Sequence, residues 1–375
     1  MGERLAVIAD DLTGAADTAV AFATPGPAVI LLDSAHDLPA VPCVAIDTDT
    51  RARTAAEAAA RTAQAAGLAA RAGFSVYKKI DSLLRGHVAI ELAATARAVA
   101  DVRGTRVLTV LAPAFPAAGR TTVDGLTYVH GVPLATRLDL TGRTVRRAGL
   151  TEVRAGLLPA LLAKAAAVGS DLVLVDAEQA TDLAAIAAAA RTIPDVVLAG
   201  SGGLARHLHP AAPAAPPRLD VDGPVLLLVG SAHEVARAQS AALAGLVTPV
   251  VLGDEGALAA ALDRGEDVLV TPDPAEPVRP ERAGEIAAAL GSGLAAHGAR
   301  IGALVATGGD TARAALVARG LDRARVVGEL EPGVVLLDAD GLPVVTKSGA
   351  FGDENTMVRV LRRLREGVRQ PWDVR

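Results

Sequence analysis

The chain alternates between short, continuous apolar runs that end in polar or glycine-rich turns and longer alanine-rich stretches that read as helical. The runs are Leu5–Ala9, Val29–Leu32, Val44–Ile46, Phe74–Tyr77, Val107–Leu111, Leu172–Val175, Val196–Ala199, Val225–Val229, Val250–Leu252, Val268–Val270, Ala303–Ala306, Val334–Leu337 and Pro343–Val345. Each is too short for a helix and lacks the in–out alternation of a strand with one wet face. They therefore read as strands buried on both faces. Helical candidates lie between them at Arg53–Ala66, Gly86–Val99, Leu183–Arg191, Val235–Leu246 and Thr356–Arg365. Strands separated by crossover helices predict an α/β protein with mainly parallel sheets flanked by helices.

One segment breaks the rhythm. Pro210, Pro213, Pro216, Pro217 and Pro224, with alanine filler, read as a semi-rigid linker over 210–224. That boundary predicts two domains, 1–209 and 225–375, in keeping with 375 residues at about 150 per domain.

Composition narrows the partners. Lys and Arg number 37 against 42 Asp and Glu, a net charge of -5, without the basic surplus of a general nucleic-acid binder. A single cysteine, Cys43, excludes an intramolecular disulfide framework and a cysteine-based zinc site. No run approaches the ~18 apolar residues of a membrane span. Met1–Arg4 leads directly into the first apolar run without a signal-peptide layout, so the expectation is a soluble, cytoplasmic protein.

Three junctions in the C-terminal half share one design. Val225–Val229 leads to Gly230-Ser231, Ala303–Ala306 to Thr307-Gly308-Gly309-Asp310-Thr311, and Val344-Val345 to Thr346-Lys347-Ser348-Gly349-Ala350-Phe351-Gly352. A strand, a glycine turn and a helix start expose unpaired N–H groups at the positive end of a helix dipole, which suits phosphate. If the strands are parallel, the turns share one sheet edge and can converge on one nucleotide. Neither the Walker pattern nor a dinucleotide G-x-G-x-x-G is present.

The N-terminal half offers different chemistry. Asp10 and Asp11 follow the first strand at a helix start, a pair suited to substrate hydroxyls, Mg²⁺ or proton abstraction. Lys79, Ile80, Asp81, Ser82 and Arg85 fall at another strand end, where Lys79 and Arg85 could hold a carboxylate and Asp81 and Ser82 could bind hydroxyls. Arg51, after Asp47–Thr50, is a further carboxylate clamp. Ala112–Thr122 is too proline-rich for a helix and reads as a shaped loop. The only lysines are Lys78, Lys79, Lys164 and Lys347, and three of the four fall in these turns.

These stretches together resemble the four-carbon acid sugar kinases, a family that includes D-threonate, D-erythronate and 3-oxo-tetronate kinases. The resemblance is carried by Ile8–Ala15, Lys78–Gly86, Ala112–Thr122, Gly230-Ser231, Thr307–Ala312 and Lys347–Gly352, in the family's order. Leu83, His87 and Ala350 depart from the family's usual Thr, Asn and Asn. The resemblance implies an N-terminal acid-sugar-binding domain, a C-terminal ATP-binding domain, an active site expected in the cleft between them, and transfer of the γ-phosphoryl group to a terminal hydroxyl. It points to Arg51 and Lys79-Ile80-Asp81-Ser82 for substrate, and to Ser231, Gly308-Gly309-Asp310-Thr311 and Gly349 for ATP, with Lys347 beside them. One of Asp10, Asp11 and Asp81 would accept the hydroxyl proton; the cofactors implied are ATP and Mg²⁺, with metal ligands unassigned. A homodimer is compatible with this picture. A sugar-acid sensor, or another nucleotide-using hydroxy-acid enzyme, is the alternative.

Overall fold

A computed structural model describes residues 4–23, 26–33, 37–209, 221–231, 233–273, 275, 282–297 and 300–366. Most of the proline-rich segment expected as a linker, residues 210–220, lies outside them. The chain divides into two compact units, Met1–Ala212 and Pro213–Arg375.

The N-terminal unit runs β1 (Leu5–Ala9), α1 (Leu12–Ala19), β2 (Ala28–Leu31), β3 (Cys43–Asp47), α2 (Ala55–Arg71), β4 (Ser75–Lys79), α3 (Val88–Arg103) and β5 (Leu108–Ala112). It continues through β6 (Arg120–Val123), β7 (Leu126–Val129), β8 (Val132–Pro133), β9 (Val145–Ala148), α4 (Leu150–Arg154), α5 (Leu158–Ala167), β10 (Leu172–Val175), α6 (Ala180–Ala190), β11 (Val196–Gly200) and α7 (Gly202–Ala205). Its main sheet has the order β2-β3-β1-β4-β11-β5-β10-β9, and every pairing is parallel. β6, β7 and β8 form a small antiparallel sheet of their own.

Sequence chemistry accounts for these elements. β1 and β3 are apolar through most of their length because helices cover both faces of a parallel sheet. α2 begins at a capping box, in which Thr54 Oγ1 accepts from the Glu57 N–H (3.3 Å) and Glu57 Oε2 accepts from the Thr54 N–H (3.0 Å). Its inner face is alanine: Ala65, Ala66 and Ala69 pack with Ile8, Val44, Ile46, Phe74 and Val99 in one buried cluster. Small side chains let the helices lie close, which is how a chain with 2% aromatics still fills its core.

The C-terminal unit runs β12 (Val225–Val229), α8 (Glu234–Ala242), β13 (Thr248–Val251), α9 (Glu255–Asp263), β14 (Val268–Thr271) and α10 (Ala283–His297). It ends with β15 (Ala303–Thr307), α11 (Gly309–Ala318), β16 (Arg323–Glu331), β17 (Val334–Ala339), β18 (Leu342–Lys347) and α12 (Thr356–Glu366). The order here is β13-β14-β12-β15-β18-β17-β16. Pairings are parallel as far as β18, then antiparallel through the β16–β17–β18 meander. β16 escapes a search for continuous apolar runs because its charges alternate with apolar residues (RARVVGELE). Among the described residues no helix is long and apolar enough to cross a membrane.

Both sheets contain a switch point. β1 sends its crossover toward β2 on one side, whereas its neighbour β4 sends its chain toward β5 on the other. In the second unit β12 leads to β13 while adjacent β15 leads to β16 in the opposite direction. Crevices open beyond the carboxyl ends of strands at such points, and ligands bind there in open α/β sheets.

Candidate functional site

At the β1/β4 switch point the chain places Asp10 and Asp11 beside Lys79, Asp81, Ser82 and Arg85. Asp11 caps α1, its Oδ1 accepting from the Gly14 N–H (2.9 Å) and its Oδ2 from the Thr13 hydroxyl (2.7 Å). A Cβ on Gly14 would lie 2.6 Å from Asp11 Oδ1 and 2.9 Å from Lys79 Nζ, so any larger residue would have to displace one of these groups.

Arg51, arriving from the end of β3, ties the cluster together. Its Nε and Nη2 donate to the two oxygens of Asp10 (2.7 and 3.0 Å), its Nη1 to Asp11 Oδ2 (2.6 Å), and Asp81 Oδ1 lies 3.8 Å from Nη2. Arg85 grips Asp81 in the same forked way, Nε to Oδ2 (2.7 Å) and Nη2 to Oδ1 (2.8 Å). Both arginines expected to clamp a substrate carboxylate thus hold carboxylates of the protein itself. Asp49 (φ 51°) and Leu84 (φ 59°), in the two turns that carry these residues, occupy the left-handed region, which is unusual for non-glycine side chains and often accompanies ligand sites.

The three carboxyls are electrostatically distinct. Burial raises the Asp10 pKa, and Asp11 and Glu91 add to the rise against the pull of Arg51 and Lys78. Burial also pushes Asp11 upward, but Arg51, Lys79 and the Thr13 hydroxyl overcome it and leave the pKa lowered. For Asp81, burial is outweighed by Arg85, Arg51 and Lys79, which hold the carboxyl well below its usual range. Burial alone would lower the Arg51 pKa; Asp10, Asp11 and Asp81 reverse that and keep it charged.

Not every expected residue presents a side chain here. Ile80 is buried in an apolar cluster with Leu84, Leu92 and Leu111, and its N–H donates to Gly200 O (2.9 Å), so it shapes the turn through its backbone. Ser82, at 8% exposure, is no more buried than Lys79 and Asp81 at 6% each. Sequence reasoning passed over Arg120 on β6. Burial lowers its pKa, and Asp81, Arg85 and Asp17 are the charges that act on it, which brings the supposed shaped loop into the same electrostatic site. The sequence also gave no reason to single out Glu91, which faces Lys78 from α3.

In the C-terminal unit, β12, β15 and β18 are adjacent and parallel, so their three glycine turns meet at one edge. Gly308 adopts φ 102° and its N–H donates to Lys347 O (2.9 Å), binding the second turn to the third. α11 then starts without a side-chain cap, so that first-turn N–H groups such as those of Gly309 and Thr311 have no intrahelical acceptor. A Cβ on Gly230 would lie 2.5 Å from Thr311 Oγ1, and one on Gly349 would collide with Ser231 Oγ. The turns are therefore in direct contact. Lys347 is 1% exposed, and its ammonium has no hydrogen-bond partner among the described residues. Burial lowers its pKa to about 8. A buried cation without an acceptor among the described residues, on a strand end whose carbonyl is bonded to the Gly308 turn, fits an anionic group such as phosphate.

Comparison with known proteins follows the same division. A family model described as "Sugar-binding N-terminal domain" matches residues 5–137 and 139–208, and one described as "Nucleotide-binding C-terminal domain" matches 226–357. The chain is 38% identical over 402 residues to a protein of Cupriavidus necator named D-threonate kinase, covering 93% of this chain and 95% of that one. It is 34% identical over 411 residues to a D-threonate kinase of Bordetella bronchiseptica, covering 97% and 98%. A solved structure from Salmonella typhimurium LT2 shares the fold at a TM-score of 0.78 and 21% identity, covering 96% of this chain and 99% of that one.

Proposed function

The chain belongs to the family of four-carbon acid sugar kinases, and from that premise we propose that it transfers the γ-phosphoryl group of ATP to the terminal hydroxyl of a four-carbon sugar acid, D-threonate ahead of D-erythronate or 3-oxo-tetronate. One observation carries the reading: receptors of two different designs stand at the two switch points. The first is dense with paired carboxylates and cations; the second offers glycine amides and an unpartnered buried ammonium. A sugar-acid sensor would need only the first.

In this reading ATP supplies the transferred group, and Mg²⁺ accompanying its phosphates offsets their charge. Ser231, the Gly308-Gly309-Asp310-Thr311 turn, Lys347 and Gly349 bind the phosphates. Arg51, Lys79 and Ser82 receive the sugar acid, and Arg85, with its side chain half exposed, exchanges Asp81 for the substrate carboxylate. Phosphoryl transfer asks little covalent work of the protein beyond alignment and charge neutralisation. Of the three aspartates Asp10 is the proton acceptor, because its pKa is raised whereas Asp81 and Asp11 are held low by their cations and are weaker bases. A cytoplasmic location and a homodimer are parts of the same proposal.

The test is ADP release across D-threonate, L-threonate, D-erythronate and 3-oxo-tetronates, with and without Mg²⁺. The expected result is acid-dependent, Mg²⁺-dependent turnover that is fastest with D-threonate. Folded protein that releases no ADP in response to any of these acids would remove the reading.

A further inference from the structure

Beneath the N-terminal receptor lies a second polar layer. Lys78 and Lys79 are consecutive on β4, so their side chains point to opposite faces of the sheet. Lys79 reaches the receptor, whereas Lys78 is 0% exposed and pairs with Glu91 of α3, Nζ to Oε2 2.7 Å. Its other protons go to the carbonyls of Lys79 (2.9 Å) and Ile8 (3.2 Å), at the ends of two adjacent strands. The second oxygen of Glu91 accepts from Thr50 Oγ1 (2.6 Å). Thr50 Oγ1 meets Thr48 Oγ1 (3.0 Å), which donates to Ala9 O (2.8 Å), and the Thr50 N–H donates to Asp10 O (3.1 Å).

We propose that the buried Lys78–Glu91 pair, with Thr50 and Thr48, is a positioning element that fixes Arg51, Lys79 and Asp10 in the geometry that receives the sugar acid. The identity of that ligand rests on the kinase reading. The connectivity itself supports a positioning role. Apart from the Lys78 bond to Ile8 O, the hydrogen bonds that leave the layer end on the residue next to a receptor group or on its own peptide: Lys79 O, Thr50 beside Arg51, Ala9 O and Asp10 O. Stability does not explain the pair, because apolar residues of similar shape commonly replace a buried ion pair at no loss, whereas removing one partner strands a charge. What apolar residues cannot do is hold three carbonyls and two hydroxyls in register. Displacement of a binding group by about 1 Å is enough to cost about 100-fold in activity.

The double variant Lys78→Met/Glu91→Leu removes both charges together. The expected result is a folded protein whose melting temperature matches or exceeds the parent's, whose KM and calorimetric Kd for D-threonate rise about 100-fold, and whose KM for ATP stays within about twofold. A folded double variant with parental D-threonate Kd overturns the proposal. Should the double variant not fold, Thr50→Val removes only the link between Glu91 and the Arg51 turn. It is expected to raise the D-threonate KM about tenfold with ATP KM unchanged; an unchanged D-threonate KM, or equal losses for both substrates, overturns the proposal. Calorimetric binding of D-threonate requires no turnover, so parental ADP release tests the kinase reading separately.

Discussion

Replacing Lys347 by methionine keeps most of the side-chain volume and deletes a buried charge. The folded environment lowers the ammonium pKa from 10.5 to about 8. At ~1.4 kcal/mol per pH unit, that difference corresponds to about 3 kcal/mol by which folding disfavours the charged form. The side chain is 1% exposed, so solvent screening does not reduce the figure. The sign follows from proton counts. Between about pH 8 and 10.5 the unfolded chain holds a proton that the folded chain has lost, so stability rises with pH across that window. Below about pH 8 the cost is present in full. Lys347→Met is therefore expected to stabilise the C-terminal unit's unfolding transition at pH 7 by up to about 3 kcal/mol, or on the order of 6–12 °C, with the gain vanishing toward pH 10.5. The same change should weaken ATP binding about 10- to 100-fold, the worth of a charge-assisted hydrogen bond to phosphate. Unfolding followed by calorimetry or denaturant from pH 7 to 10.5, with ATP titrated at pH 7, measures both effects. A variant that is less stable than the parent and binds ATP equally well would refute the reasoning, because the ammonium would then have a structural partner and no anionic one.

Three further outcomes follow from the same geometry. Asp10→Asn should lower kcat by about 100-fold or more while ATP affinity holds, as measured by steady-state turnover and nucleotide titration; near-parental kcat would remove Asp10 as proton acceptor. Gly349→Ala drives a Cβ into Ser231 Oγ and should weaken ATP binding by at least about tenfold without altering D-threonate binding, and calorimetry with each ligand separates the two. Because the Asp81 pKa is depressed below 3.8, the carboxylate contributes stability that is present above that pH and lost as pH falls below it. Acid unfolding of the N-terminal unit should accordingly be less steep in Asp81→Asn than in the parent between pH 4 and the acid limit, and identical slopes would contradict the assigned shift.

Much of this arrangement was legible before any coordinates. The unbroken apolar runs announced strands such as Leu5–Ala9 and Val225–Val229 to the residue, because burial on both faces leaves a local signature. β16 left none, since a strand that alternates charge with apolar residues looks like surface. Asp10, Asp11, Lys79, Asp81 and Arg85 were found because they fall where strands end. Arg120 and Glu91 were not: Arg120 stands in a proline- and glycine-rich stretch that reads as a structural loop, and Glu91 lies on α3, away from any strand end.

The sequence by itself determined which segments are strands buried on both faces, where the glycine turns fall and which residue types stand at those strands' ends, all of which depend on neighbours a few positions away. Only the tertiary structure decided that β1 lies against β4 and β12 against β15, and hence that the polar turns gather at two switch points. It alone paired Arg51 with Asp10 and Asp11, Arg85 with Asp81 and Lys78 with Glu91, and left the Lys347 ammonium without an acceptor among the described residues. Parallel strands meet only through crossovers, so the order of a sheet and the partner of a buried charge are set by long-range packing that no local pattern encodes.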